Sequence, residues 1–229
     1  MSQPHLIYFA DPMCSWCWGF APVIETIRQR FGDALPTRLM MGGLRPGTTR
    51  PLDEAGRRTI REHWGHVHTA SGQPFDFRFF EREGFVYDTE PGARAVVVVR
   101  RSGADALAFL SRVHAAFYAE NRDVTDEHEL ADLAAQSGFE RDDFVQAFRS
   151  EAAQQETRRD FATAQRAGIT GFPALIAGVG EGTPYALVTQ GYQRASNLLP
   201  PLATWLETAR RQPDAGSMFV PGWPSVDTS

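Results

Sequence analysis

The 229-residue chain contains no lysine: all 23 of its basic side chains are arginine, against 28 acidic residues. A net charge of −5 leaves no broad basic face for a nucleic-acid backbone, which excludes that class of partner. Long hydrophobic runs are also missing. None approaches the ~20 apolar residues that a membrane-spanning helix needs. Met1-Ser-Gln-Pro-His5 lacks the basic flank, apolar core and small-residue cleavage site of a secretory signal, so a soluble, cytoplasmic protein is expected. There is no internal repeat or low-complexity tract. A hydrophobic fraction of 42% over this length is ordinary for a globular chain with one sizeable core, with or without an inserted subdomain. Cysteine is scarce, with two residues.

Both cysteines fall in one motif, Cys14-Ser-Trp-Cys17, directly after the apolar run Leu6-Ile-Tyr-Phe-Ala10. That run reads as a buried parallel strand, and Asp11-Pro12 as the turn that ends it. Phe20, Val23, Ile24, Ile27 and Phe31 then recur at helical spacing, with Gly32 placed as a C-cap. Cys14 is therefore expected exposed at a helix start, and Cys17 one turn inside. Unpaired backbone N–H groups and the helix dipole favour thiolate at such a position. The gain in attack rate is small, because nucleophilicity falls with basicity, and it does not decide whether the pair reduces or oxidises its substrates. In the cytoplasm a lone C-x-x-C beside a βα unit reads as catalytic rather than structural. The alternative is half of a zinc site, in a non-enzymatic zinc-binding or adaptor module that adds to Cys14 and Cys17 one or two of the histidines His63, His66 and His68. The second C-x-x-C or H-x(3–5)-H that a structural site calls for is absent, so no metal is assigned.

Thr37 to Leu44 reads as a second strand. From Leu52 to about Arg166 helical patterns dominate: Asp53 to Trp64, Ala93 to Arg101 after the Asp88-Thr-Glu-Pro91 start, Ala104 to Tyr118, Asp126 to Gln136, Arg141 to Ser150, and Glu151 to Ala167 closed by Gly168. Gly72 to Phe80 is an aromatic connector whose phenylalanines are expected to pack in the core. Pro173-Ala-Leu-Ile-Ala177 and Tyr185-Ala-Leu-Val-Thr189 return to strand character around a Gly-rich turn, and Leu198 to Arg210 is a last amphipathic helix. The order β-α-β, a block of helices, then β-β-α fits an α/β, thioredoxin-like fold interrupted by an all-helical insertion. The expected division is 1–48 with 165–212 for the thioredoxin-like part, 49–164 for the insertion, and a flexible tail at 213–229.

Asp11-Pro-Met-Cys-Ser-Trp-Cys-Trp-Gly-Phe20 and Gly168-Ile-Thr-Gly-Phe-Pro-Ala-Leu175 together resemble the DsbA-like thiol-disulfide oxidoreductases of the thioredoxin superfamily, including their cytoplasmic protein-disulfide-isomerase branch. The likeness spans roughly residues 5 to 210. It implies a redox-active Cys14–Cys17 pair and a cis Pro173 facing it. It also implies that Phe172 pairs its backbone with an extended substrate, and that Ser15-Trp16 sets the redox potential. Trp16 is expected partly exposed, shaping the docking surface, with Trp18 or Phe20 packed inward. The helical insertion is expected to cap the active helix. Substrates would be proteins or small thiols and disulfides, with glutathione as a possible co-substrate and no other cofactor. The resemblance also admits a glutathione-dependent isomerase or transferase on the same scaffold, although such relatives generally carry serine at the position of Cys14. One position departs from the family pattern: where many relatives place a buried acid six residues before the first cysteine, this chain has Tyr8, a poor base at neutral pH.

Overall fold

A computed structural model describes residues 3–180 and 184–211, and the backbone of 225–226. Its sheet has the strand order β2-β1-β3-β4-β5, with β1 His5–Ala10, β2 Thr37–Met41, β3 Ala174–Gly178, β4 Tyr185–Gln190 and the two-residue β5 Ser225–Val226. β1 and β2 run parallel, joined by α1 (Ser15–Phe31), and the other pairs are antiparallel. Between β2 and β3 the chain forms α2 Glu54–Ser71, α3 Glu90–Arg101, α4 Ala106–Tyr118, α5 Glu127–Ala135, α6 Arg141–Arg149 and α7 Glu151–Arg166; α8, Ala195–Arg211, follows β4. The thioredoxin-like order with a helical insertion is therefore present. Of the expected tail, all but Ser225 and Val226 lies outside the described residues, as do positions 181–183 of the Gly-rich turn.

Strand periodicity decides which residues reach which face. Leu6, Tyr8 and Ala10 of β1, with Leu175 and Ala177 of β3, enter a large core that continues through α1, α8 and the inserted helices. Phe9, Ala174 and Ile176 point the other way, onto Ala164, Ala167 and Ile169 at the end of α7. Four of the six inserted helices start on side chains that accept their first free N–H groups: Asp53 from Gly56, Asp105 from Leu107 and Ala108, Asp126 from His128 and Glu129, Ser150 from Ala153.

Three boundaries differ from expectation. β2 stops at Met41 because Gly43 takes φ +73°. α2 runs seven residues past Trp64 to Ser71, where Gly72 closes it at φ +76°, so the histidine cluster lies on a helix. α8 starts at Ala195 despite Pro200 and Pro201. The carbonyls that those prolines leave without a helical donor belong to Ser196 and Asn197, which are exposed and reachable by water.

Candidate active site

The loop from β1 to α1 is tied down by Asp11. Its backbone carbonyl accepts from Cys14 N–H (3.1 Å), and its carboxylate Oδ1 accepts from Met13 N–H (2.9 Å). Oδ2 accepts from Leu44 N–H (2.7 Å), which joins this loop to the one after β2. Cys14 is the N-cap of α1, in extended conformation with no side-chain cap bond, and its carbonyl accepts from Cys17 N–H and Trp18 N–H at 3.0 and 3.1 Å. Both thiols are free.

The Phe172–Pro173 bond is cis and brings the Phe172 carbonyl to 3.5 Å from Cys14 Sγ. Gly191 N–H holds the other side of the loop through the Pro173 carbonyl at 2.7 Å. The Phe172 ring lies where a side chain at position 42 would stand, since a Cβ on Gly42 would come within 2.1 Å of it. Ser15 and Trp16 are half-buried, and Trp16 rests on Tyr192 with ring centroids 5.6 Å apart. Trp18 and Phe20 are buried, as expected, and Trp18 Nε1 donates to the Pro74 carbonyl at 3.0 Å, which ties the active helix to the insertion. Exposure of Cys14 is a correction. It is only 6% exposed, because the cis-proline loop closes over it, while Cys17 is fully buried.

Burial dominates the electrostatics below the cysteines. It pushes the Cys17 thiol well above the ordinary cysteine range, aided by the Cys14 thiol and the Asp11 charge; the Asp11 backbone N–H works in the opposite sense. Asp11, also fully buried, rises to about 6 through desolvation, held back by the N–H groups of Leu44 and Met13 and by the Thr89 hydroxyl. His114 is lowered to about 4 by burial, opposed by its bond to the Asp11 carbonyl, with Nε2 3.0 Å from that oxygen. A carbonyl can only accept, so Nε2 carries the proton and Nδ1 faces the interior as a bare acceptor. Tyr8 is likewise pushed well above the tyrosine range, by burial first and then by Cys17 and Cys14.

Asp11 and His114 are therefore the residues that sequence reading missed in a site role. Asp11 carried a signal, a carboxylate three residues before Cys14, but read as a turn former. His114 lies 100 residues beyond Cys14 in a helical stretch, and nothing local marks it. His63, His66 and His68 sit exposed on α2 while the cysteines are buried, and among the described residues no group of three or more His, Cys, Asp or Glu is placed to hold a metal. Among the described residues no helix is long and apolar enough to cross a membrane.

A five-stranded sheet built as β-α-β, a block of helices, then β-β-α-β, with a C-x-x-C at a helix start and the Phe172 carbonyl, just before cis-Pro173, at the outer sulfur, defines a thioredoxin-fold protein of the inserted-helix class. Residues 5–199 match the family model of the DSBA-like thioredoxin domain, and the chain belongs to that family. It is 42% identical to a candidate protein disulfide isomerase from Nitrosomonas europaea, with a TM-score of 0.83 over 90% of this chain and 98% of that one. The cytosolic disulfide reductase DsbM from Pseudomonas aeruginosa is 26% identical, with a TM-score of 0.70 over 90% and 98% of the two chains, and that protein has also been solved with GSH. Among curated proteins, the ClpXP adapter protein SpxH of Bacillus subtilis (strain 168) is 23% identical over 176 residues. These residues are 76% of this chain, which spans 58% of that relative's length.

Proposed function

We propose that the protein is a thiol-disulfide oxidoreductase of the protein-disulfide-isomerase type, acting in the cytoplasm on protein or glutathione disulfides through Cys14 and Cys17. The observation that carries this reading is the 3.5 Å approach of Cys14 Sγ to the Phe172 carbonyl at cis-Pro173. An attacking sulfur lies beside a backbone acceptor that an extended substrate can pair with, and Ser15 and Trp16 flank the approach. Cys14 attacks the substrate disulfide and forms a mixed disulfide, releasing the first substrate thiolate. Cys17, held as a buried thiol, then attacks Cys14 Sγ, so that a Cys14–Cys17 bridge forms and the second substrate sulfur leaves as a thiol, the proton lost by Cys17 balancing the one it gains. Glutathione as a partner is supported by the DsbM neighbour solved with GSH.

Cys14→Ser is expected to abolish turnover in an insulin-reduction or dithiol-oxidation assay, and Cys17→Ala to accumulate mixed disulfides visible by intact mass. Full activity in Cys14→Ser would rule the mechanism out. A role independent of the cysteines, of the kind named for the Bacillus subtilis relative, would instead survive both substitutions.

A further inference from the structure

Attack on a disulfide needs the incoming sulfur in line with the bond that breaks, so the direction in which the Cys14 side chain leaves the backbone bears on the rate. That direction is set by the peptide unit between Met13 and Cys14. The unit is planar, so holding its oxygen and its hydrogen holds the whole of it. Both are held. Its oxygen, the Met13 carbonyl, accepts from Tyr87 Oη at 2.7 Å, and its N–H, that of Cys14, donates to the Asp11 carbonyl at 3.1 Å. The Asp11 oxygen accepts a second time, from His114 Nε2 at 3.0 Å.

The two side-chain donors come from the stretch between β2 and β3: Tyr87 stands just before α3, and His114 is on α4. Tyr87 is buried, its ring packed against Phe79, Phe85 and Phe117 with centroids 6.2, 6.0 and 5.7 Å away, and the Arg45 guanidinium lies 5.4 Å from its own centroid. A ring packed on so many sides holds its hydroxyl in place. The residue between the two bonded carbonyls is held as well, since Pro12 lies against Gly92 of α3, where an added Cβ would come within 3.1 Å of Pro12 Cβ. The inserted region thus grips the turn at residues 11, 12 and 13. Cys14 Sγ, at the end of that turn, faces the Phe172 carbonyl at 3.5 Å.

Building on the oxidoreductase reading, we propose that Tyr87 and His114 are positioning residues: together they clamp the Met13–Cys14 peptide plane, so that Cys14 Sγ meets an incoming disulfide beside the Phe172 carbonyl. Neither takes part in bond making. In the first attack the Cys14 sulfur supplies the electron pair for its new bond to one substrate sulfur, and the substrate S–S bond breaks, its other half leaving as a thiolate. Tyr87 and His114 keep their protons throughout.

The test uses the full chain carrying Cys17→Ala, in which Cys14 is the sole thiol, and follows intact mass over time with two reagents. Oxidised glutathione reports aimed attack on a disulfide, whereas iodoacetamide reports the access and charge of the sulfur and can approach from any open side. Adding Tyr87→Phe keeps the ring and deletes the bond to Met13. It is expected to slow formation of the glutathione adduct about tenfold, and alkylation at the same pH by less than about twofold. An unslowed glutathione step, or equal slowing with both reagents, overturns the proposal. Should Tyr87→Phe not fold, His114 carries the test: His114→Leu is expected to give the same split, and His114→Gln, whose amide can still donate to the Asp11 carbonyl, to restore the parent ratio of the two rates. A parent ratio in His114→Leu overturns the clamp, as does a His114→Gln protein no better than His114→Leu. If the Cys17→Ala protein with Tyr87 and His114 intact forms no glutathione adduct, the oxidoreductase reading falls instead.

Discussion

Two buried titratable residues with opposite shifts meet behind the cysteines, and their effects on stability oppose each other. Native Asp11 holds its proton more tightly than the unfolded chain does, about 6 against 3.8. It therefore adds stability at low pH that is lost as pH rises through 6. Native His114 behaves in reverse, about 4 against 6.5, so its contribution is present above pH 6.5 and is lost as pH falls through 4. Each shift corresponds to about 3 kcal/mol, and the two nearly cancel between pH 4 and 6. Asp11→Asn removes one side of this balance. The variant is expected to lose up to about 3 kcal/mol more stability than wild type between pH 6.5 and 4, read from urea unfolding at a series of pH values. Parallel pH profiles for the two proteins would show that Asp11 is not linked to folding in this way.

At the scale of elements, the site depends on how the end of β2 meets the cis-proline loop. Gly42 donates its N–H to the Ala10 carbonyl (2.8 Å), extending the β1–β2 ladder by one residue, and its missing side chain leaves room for the Phe172 ring. A methyl group there forces the ring aside, and with it the carbonyl that faces Cys14. Gly42→Ala is expected to cost about 1–3 kcal/mol and to slow the first attack on oxidised glutathione. Phe172→Leu in the same chain should restore much of the rate, by returning the volume that the methyl took. If Gly42→Ala keeps both the wild-type rate and the wild-type melting temperature, the ring does not need that space. The N-terminus of α1 was legible from the sequence for a related reason: a turn dipeptide, a short strand before it and a 3.6-residue apolar repeat after it are all local signals, none longer than about a dozen residues.

At the scale of the whole molecule, an ion cluster fastens the insertion to the open edge of the sheet. Arg100 of α3 donates to Asp160 of α7 at 2.7 and 3.0 Å, to Glu156 at 2.8 Å and to the Leu39 carbonyl of β2 at 2.8 Å. Asp160 in turn accepts from Met41 N–H at 2.9 Å. Backbone groups that would leave β2 open as an edge strand are thereby occupied. Removing one member strands a buried partner, so Arg100→Leu is expected to lose about 3 kcal/mol in urea unfolding, and Arg100→Leu with Asp160→Leu to recover part of it. A loss below about 0.5 kcal/mol in the single variant would mean that the cluster holds nothing together.

The sequence by itself determined the order of elements, the helix that carries the cysteines and the aromatic core beneath the insertion, because each is written in local periodicity or turn chemistry; the proline opposite the redox pair was implied by the family resemblance. Phe75, Phe77, Phe79 and Phe80 gather around Trp64, with ring centroids between 4.9 and 6.0 Å from it, as a core-packing role requires. What only the tertiary structure decided is the company that Cys17 keeps. Tyr8, Asp11 and His114 come from β1, the loop after it and α4, and their ionisation is governed by loss of water and by which atoms face one another. Those quantities arise when distant segments close over a site, and no spacing along the chain encodes them.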